Sequence, residues 1–278
     1  MENEVFPKKH LLSLRLLPSI FLGLLSLGYS FAYLDNKYAN RFEYLQAGGF
    51  FGIAVLLLFL DIALECFYKK DDLVYHLLST CIAGAELFYF GFAILTYFKQ
   101  LPSGTDPRFR IFPTVLLSLL LLMNLLYRVL VWTHVWKTEK GNENDLLAAY
   151  IGYLGLGAAL LNSFPFSIIL MQGDNVSLSY IGIFADIALA FGILEALVGL
   201  LWLSFEKIRA SHKSNIFFYL TVINFFASLA GLVVSAFGYS YALINIRTAN
   251  FCFAFYSLSI VLIGTGLLYL NYLLKKSR

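Results

Sequence analysis

Six ionisable side chains lie inside the long apolar runs of this sequence, where a charge is expensive. They are the carboxylates Asp61, Glu65, Glu86, Asp186 and Glu195 and the guanidinium of Arg128. An ionised group in hydrocarbon costs several kcal/mol, so each of them is a candidate functional residue. Carboxylates at successive depths of a membrane can bind and release protons or cations in turn. The pattern therefore predicts proton- or cation-linked chemistry inside a bilayer.

The depth of each charge follows from its position in its apolar run, at about 1.5 Å of rise per helical residue. Asp61, Arg128 and Glu195 fall at about the same level, on the cytosolic side of the predicted span centres. An isolated guanidinium is more costly there than one bonded to a carboxylate, which predicts that Arg128 pairs with Asp61 or Glu195. Glu65 lies one turn before Lys69 and is predicted to pair with it at the membrane surface.

The acids outnumber the arginine. Glu86 lies near the centre of its span, and Asp186 lies about 7 Å toward the lumenal side. Because one arginine cannot neutralise four carboxylates, the surplus acids are either protonated or balanced by a mobile cation. In the predicted path, Asp186 is the lumenal end and Glu86 is the central relay. Asp61 and Glu195 form the cytosolic end, with Arg128 as counter-charge. The alternative is that the acids are hydrogen-bonded contacts between helices, with no conduction.

Small and amide side chains recur at helical spacing in three of the apolar runs. The fifth run carries Ala148, Gly152, Gly155, Ala159 and Asn162, the seventh Asn224, Ser228, Gly231, Ser235 and Gly238, and the eighth Asn250, Ala254, Ser257, Val261 and Gly264. In lipid, helices associate by close backbone approach, which small residues permit. We predict that these faces pack inside the bundle, with an asparagine bonding across each. Asn124, one turn before Arg128, is predicted to face inward as well.

The composition indicates the class of protein in which these residues sit. The 278-residue chain is 60% hydrophobic and 13% charged, whereas soluble domains are about 45–50% apolar and about 25% charged. We predict an all-α, polytopic transmembrane bundle that forms a single domain over residues 1–278. The predicted spans are residues 11–34, 44–68, 73–98, 110–136, 146–170, 178–204, 215–240 and 247–273. A weak parallel repeat of residues 1–139 and 140–278 stays open, because Phe51-Gly-Ile recurs as Phe191-Gly-Ile.

Lysine and arginine are more numerous on the side that holds both predicted termini, which makes that side cytosolic. The sequon at Asn175 falls in a loop on the opposite side and is a glycosylation candidate. The chain ends in KKSR, and Lys275 and Lys276 resemble a dilysine signal that retrieves membrane proteins to the endoplasmic reticulum. The same lysines could simply anchor the last span. We therefore predict residence in the endoplasmic reticulum.

The sequence lacks the residues that several classes of function require. The cysteines Cys66, Cys81 and Cys252 are scattered, the sequence has no HxxxH pair, and phosphate-loop, GxSxG and HExxH motifs are absent. These observations argue against a metal site, a cofactor, a nucleotide site and most catalysis. An intramembrane lipid enzyme would need a nucleophile or metal that is not apparent. Nothing in the sequence indicates nucleic-acid binding.

The sequence therefore predicts a proton- or cation-linked transporter or channel whose partners are membrane lipids and protons, cations or a small solute. The alternative is a non-transporting membrane factor of the endoplasmic reticulum that handles lipids or assists protein folding or trafficking. Both hypotheses need the same helical bundle, and they differ in whether the buried carboxylates exchange a cation.

Overall fold

The computed structural model describes residues 15–20, 22–23, 41–67, 73–100, 107–137, 143–172, 174–205 and 214–276. The described residues of the first predicted span, 15–20 and 22–23, are largely helical and are called α1. The long helices that follow are α2 (Arg41–Phe67), α3 (Leu73–Gln100), α4 (Pro107–Lys137), α5 (Glu143–Met171), α6 (Tyr180–Ser204), α7 (Ser214–Ser240) and α8 (Ile246–Lys276). A single helical turn, Asp174–Ser177, precedes α6. Helices α2 to α8 each overlap one predicted span, and the described residues of α1 lie within the first.

The described residues contain four helices that have the length and apolar content to cross a membrane. They are Leu147–Leu170, Tyr180–Ser204, Ile216–Ser240 and Ile246–Tyr272, and α4 contains a shorter apolar segment, Val115–Val131. Large apolar side chains such as Phe67, Phe88 and Leu268 stay exposed on the outer faces of the bundle. An exposed apolar surface of this extent is suited to lipid rather than to water. The chain is a helical membrane protein.

Local hydrogen bonds explain where the C-terminal helices begin. The Ser179 hydroxyl accepts a hydrogen bond from the Ile181 backbone N–H and caps α6. Between α7 and α8 the chain turns at Ala242, which has a φ of 55°. The Asn245 side chain then accepts a bond from the Thr248 N–H at 2.9 Å and starts α8. Caps of this kind satisfy N–H groups that the first helical turn leaves without partners. The predicted break near residues 241–246 is confirmed.

Helix α5 lies at the centre of the bundle. It packs against α4, α6, α7 and α8, and residues 148–160 are buried without exception. One apolar cluster draws side chains from all eight helices, including Leu22 of α1, Ala54 of α2 and Leu270 of α8. The sequence places Asp186 and Glu195 nine residues apart on α6, which turns them to opposite faces of that helix and predicts a central position for it. The structure instead encloses α5, which carries no acid within residues 148–160.

Glycine allows α5 and α6 to touch backbone to backbone. A Cβ added at Gly155 would lie 2.5 Å from the Ala196 nitrogen, and one at Gly192 would lie 2.7 Å from the Ala159 nitrogen. All members of the predicted small-residue stripes on α5 and α7 are buried. The prediction that these two faces pack inside the bundle is confirmed.

The predicted stripe on α8 is wrong. Asn250, Ala254, Ser257 and Val261 are exposed, and α8 packs through the face that contains Cys252, Tyr256, Ser259 and Ile263. The physical reason is size complementarity between α7 and α8. A Cβ at Gly231 of α7 would lie 2.7 Å from the Tyr256 ring, so a notch on α7 receives a bulky side chain of α8. Small residues on one of the two helices are sufficient for this contact.

Candidate functional site

Arg128 of α4 and Asp61 of α2 form a bidentate ion pair. Nη1 lies 2.9 Å from Oδ1 and Nη2 lies 2.9 Å from Oδ2, and both side chains are almost wholly buried. Arg128 also donates to the Ser79 hydroxyl at 2.8 Å and to the Arg15 carbonyl oxygen at 3.1 Å. The Ser19 hydroxyl donates to Asp61 Oδ2 at 2.7 Å. Helices α1, α2, α3 and α4 therefore meet at this pair, which is the first of the two alternatives predicted for Arg128.

A second buried arginine lies beside this pair. Arg15 of α1 donates to the Tyr75 hydroxyl at 2.7 Å, and that hydroxyl donates to Glu65 Oε1 at 2.5 Å. The Arg15 guanidinium also lies 5.7 Å from the centre of the Tyr153 ring, a distance typical of cation–π contact. Glu65 is therefore buried and bonded to α3. Lys69, its predicted partner, lies outside the described residues.

Glu86 of α3 is fully buried, and neither of its carboxyl oxygens accepts a hydrogen bond from a described residue. The charges of Arg128 and Asp61 both act on it, and the Ser19 hydroxyl lies within hydrogen-bonding reach of it. Ser19 has one hydroxyl hydrogen, however, and donates it to Asp61. The predicted central relay therefore stands next to the ion pair, and no described residue gives it a counter-charge of its own.

The charges of this buried group do not balance. Among the described residues, two guanidinium groups, Arg15 and Arg128, face three carboxylates, Asp61, Glu65 and Glu86. One carboxylate is left over when all five are ionised. Asn124, one turn before Arg128, is fully buried, and neither its amide oxygen nor its amide nitrogen has a partner among the described residues. Buried polar atoms of this kind need water, a proton or a ligand to satisfy them.

Glu195 of α6 lies in a separate polar group at the α6–α7 interface. It accepts hydrogen bonds from the Thr221 hydroxyl at 2.6 Å and from the Asn224 amide at 2.8 Å. The counted depth predicted Glu195 as one of two possible partners for Arg128, but Asp61 occupies both terminal nitrogens of that guanidinium. Depth along a helix gives the height of a side chain and leaves its direction around the axis undetermined.

Asp186 does not join the other acids. Its side chain is exposed on α6, and its charge acts on Tyr256 of α8. Helix α6 packs against α4, α5 and α7, whereas α3, which carries Glu86, packs against α2 and α4. The described residues therefore place Asp186 and Glu86 on different parts of the bundle.

Two tyrosines lie between the two polar groups. The Tyr127 hydroxyl donates to the Ala196 carbonyl oxygen, next to Glu195, and its ring centre is 5.1 Å from that of Tyr153. Tyr153 in turn carries the Arg15 guanidinium on its face. Sequence reasoning missed both tyrosines. The sequence does offer one signal for Tyr127, because it directly precedes Arg128 and lies one helical turn after Asn124.

The other predicted polar residues differ in their contacts. The Asn162 amide donates to the Ala188 carbonyl oxygen and to the Ser228 hydroxyl, both at 3.1 Å, so it joins α5, α6 and α7. Asn224 bonds to Glu195, whereas Asn250 is exposed. Asn175 is exposed in the single turn before α6. Helix α8 continues through Lys275 and Lys276, whose side chains lie outside the described residues.

Comparison with known proteins gives no relative. The chain matches no protein-family model, no curated protein and no solved structure. The chemistry of the buried charges is therefore the basis for the function proposed below.

Proposed function

We propose that the protein is a proton- or cation-linked transporter or channel whose binding centre is the group Asp61, Arg128 and Glu86. The observation that carries the proposal is the state of Glu86. Its carboxyl group is fully buried, accepts no hydrogen bond from a described residue and lies beside an arginine that is already bonded to Asp61. A proton or monovalent cation at Glu86 would remove the surplus negative charge of the group.

The proximity of two acids to one arginine supports a simple exchange. The charges of Asp61 and Glu86 both act on Arg128. When Glu86 holds a cation, Arg128 is fully engaged by Asp61, as in the described geometry. When the cation leaves, the Glu86 carboxylate competes with Asp61 for the guanidinium. Because the four helices α1 to α4 all contact this group, a shift of Arg128 changes their packing, which couples cation binding to conformation.

The predicted ends of the path lie outside this centre. Asp186, the predicted lumenal end, is exposed on another part of the bundle, and Glu195, predicted at the cytosolic end with Asp61, belongs to the separate polar group of Thr221 and Asn224. The proposal includes eight spans with both termini in the cytosol, which the overlap of the long helices with the apolar runs and the distribution of lysine and arginine support. Residence in the endoplasmic reticulum is supported by Lys275 and Lys276 at the end of α8.

A second candidate is favoured by a different observation. Asp61 and Glu195 have hydrogen-bond partners on neighbouring helices, as does Glu65. Carboxylates held in this way stabilise a bundle without conducting anything. The protein would then be a non-transporting membrane factor of the endoplasmic reticulum that handles lipids or assists protein folding or trafficking.

Flux in liposomes separates the two candidates. Purified protein is reconstituted with an internal pH-sensitive dye, and gradients of protons, sodium and potassium are applied in turn. We expect flux from wild type and its loss in Glu86→Gln, which keeps the shape of the side chain and removes its charge. Asn250→Ala, on the exposed face of α8, is the matched control and should conduct as wild type does. No flux from wild type with any of the three ions contradicts transport and favours the second candidate.

Topology and location need their own measurement. Changing Lys275 and Lys276 to Ser should move the protein to later compartments, and an unchanged distribution removes the retrieval signal. A glycosidase-sensitive mass shift that disappears in Asn175→Gln places this loop in the lumen. A tag at the C-terminus that is accessible to protease on the lumenal side contradicts the proposed orientation.

A further inference from the structure

The α6–α7 interface encloses a carboxylic side chain that has no charged neighbour among the described residues. Glu195, Thr221 and Asn224 are all fully buried. The described titratable groups whose electrostatics involve Glu195 are Tyr127 of α4 and Tyr150 of α5, both of them tyrosines. Of the described side chains of α7, only the hydroxyl of Thr221 and the amide of Asn224 bond to Glu195. Within the described part of the chain, an ionised Glu195 would therefore be a buried charge without a counter-charge, which is costly in a membrane.

The number of hydrogens at the Thr221 hydroxyl points to the protonation state of Glu195 that this site prefers. The Thr221 oxygen lies 2.6 Å from Glu195 Oε1 and 2.9 Å from the Phe217 carbonyl oxygen. A hydroxyl group has one hydrogen to donate and two lone pairs with which to accept. It can satisfy both neighbours only if one of them brings a hydrogen of its own. The Phe217 carbonyl cannot do so, whereas Glu195 can.

We propose that Glu195, Thr221 and Asn224 form a proton-binding site that is separate from the group around Arg128. In the protonated state, Glu195 Oε1 donates its hydrogen to the Thr221 oxygen, and Thr221 donates its own to the Phe217 carbonyl. Asn224 donates to Glu195 Oε2 at 2.8 Å. When the proton leaves, the Thr221 hydroxyl turns to Glu195, and the carboxylate keeps two hydrogen bonds.

The same geometry favours a proton over a metal cation. Hard cations require a shell of oxygen ligands that surrounds them. Here the two carboxyl oxygens are each approached by one side chain at hydrogen-bonding distance, and Asn224 presents its N–H group rather than its oxygen. The site therefore holds a hydrogen between oxygen atoms. It does not depend on transport, so the proposal stands or falls independently of the function proposed above.

Infrared spectroscopy of the purified protein in micelles tests this site directly. A protonated carboxyl group gives a carbonyl stretching band that shifts in heavy water, and the difference between wild type and Glu195→Gln isolates the band of Glu195. We expect this band at neutral pH. We also expect Glu195→Gln to remain folded, because the glutamine amide can donate to Thr221 as the acid does. Glu86→Gln is the matched control and should leave the Glu195 band in place.

Thr221 variants test the hydrogen-bond chain. In Thr221→Val the carboxyl group loses its acceptor, so the band should move to the higher frequency of a weakly bonded acid. Thr221→Ser restores the hydroxyl and should return the band to its position in wild type. If the difference spectrum contains no protonated carboxyl band for Glu195 at any pH at which the protein is folded, the proton site is wrong. If Thr221→Val leaves the band unmoved, or if sodium converts it to a carboxylate band, the proposed arrangement is wrong.

Discussion

The two terminal nitrogens of Arg128 lie 2.9 Å from the two carboxylate oxygens of Asp61, so helices α2 and α4 are joined by a fork-shaped ion pair. Because both side chains are buried, removal of Arg128 leaves the Asp61 carboxylate as an uncompensated charge. We expect Arg128→Ala to lower the free energy of unfolding by about 3–5 kcal/mol. Thermal unfolding of the purified protein in detergent micelles measures the change against wild type.

The partner of Arg128 is tested by rescue. Asp61→Asn removes the charge that Arg128→Ala leaves behind, so the double variant should be more stable than Arg128→Ala alone. Glu195→Gln also removes a buried carboxylate, but Glu195 is bonded to Thr221 and Asn224 and should give no rescue. Equal rescue by the two acids contradicts the described pairing. Arg128→Lys tests the bidentate geometry, since a lysine ammonium group cannot form the two parallel hydrogen bonds that the guanidinium forms with Asp61.

The sequence predicted the positions of the helices and the depth of the charged side chains better than the directions in which those side chains point around each helix. Apolar length and flanking polar residues determine where a span lies, which is why helices α2 to α8 each overlap a predicted run. Height along a helix is likewise a matter of counting, and it placed Asp61 and Arg128 at one level. The choice between Asp61 and Glu195 depends on which helices are neighbours, and a single sequence does not contain that information.

The functional residues that the sequence did not reveal were missed for a common reason. Arg15 lies four residues inside the first predicted span, where its position indicates only a positive charge near a helix end, whereas the structure buries it beside Tyr75. Tyr75 and Ser19 are ordinary residues of apolar helices until a charged neighbour gives them a role. The predicted packing face of α8 was wrong for a different reason, because a stripe of small residues permits close packing without requiring it.

The close crossing of α5 and α6 predicts a strong dependence on glycine. In Gly155→Ala the new methyl group would lie 2.5 Å from the Ala196 nitrogen, so the two backbones must separate. We expect a clear fall in the unfolding temperature. Gly84→Ala on α3 is the matched control, because a Cβ there has nothing within 4 Å and alanine favours the helix by about 0.5–1 kcal/mol. A similar response of the two variants contradicts the described contact.

Glu86 is predicted to cost stability rather than to supply it. Its two carboxyl oxygens are buried without a hydrogen bond from a described residue, so replacing it by an apolar side chain of similar length removes an unsatisfied group. We expect Glu86→Met to unfold at the same temperature as wild type or at a higher one, while ion flux is lost. A large fall in the unfolding temperature would instead assign Glu86 to the support of the bundle.

Asn162 and Asn250 were both predicted to bond across helices, and the structure separates them. Asn162 donates to Ala188 of α6 and to Ser228 of α7, whereas Asn250 is exposed. Hydrogen bonds between membrane helices contribute about 0.6 kcal/mol on average and about 1.7 at most. We expect Asn162→Ala to lower the free energy of unfolding by an amount in this range, and Asn250→Ala to leave it unchanged. Unfolding of both variants in the same micelles provides the comparison. A loss in Asn250→Ala equal to that in Asn162→Ala would mean that the exposed face of α8 is covered by another molecule in the purified protein.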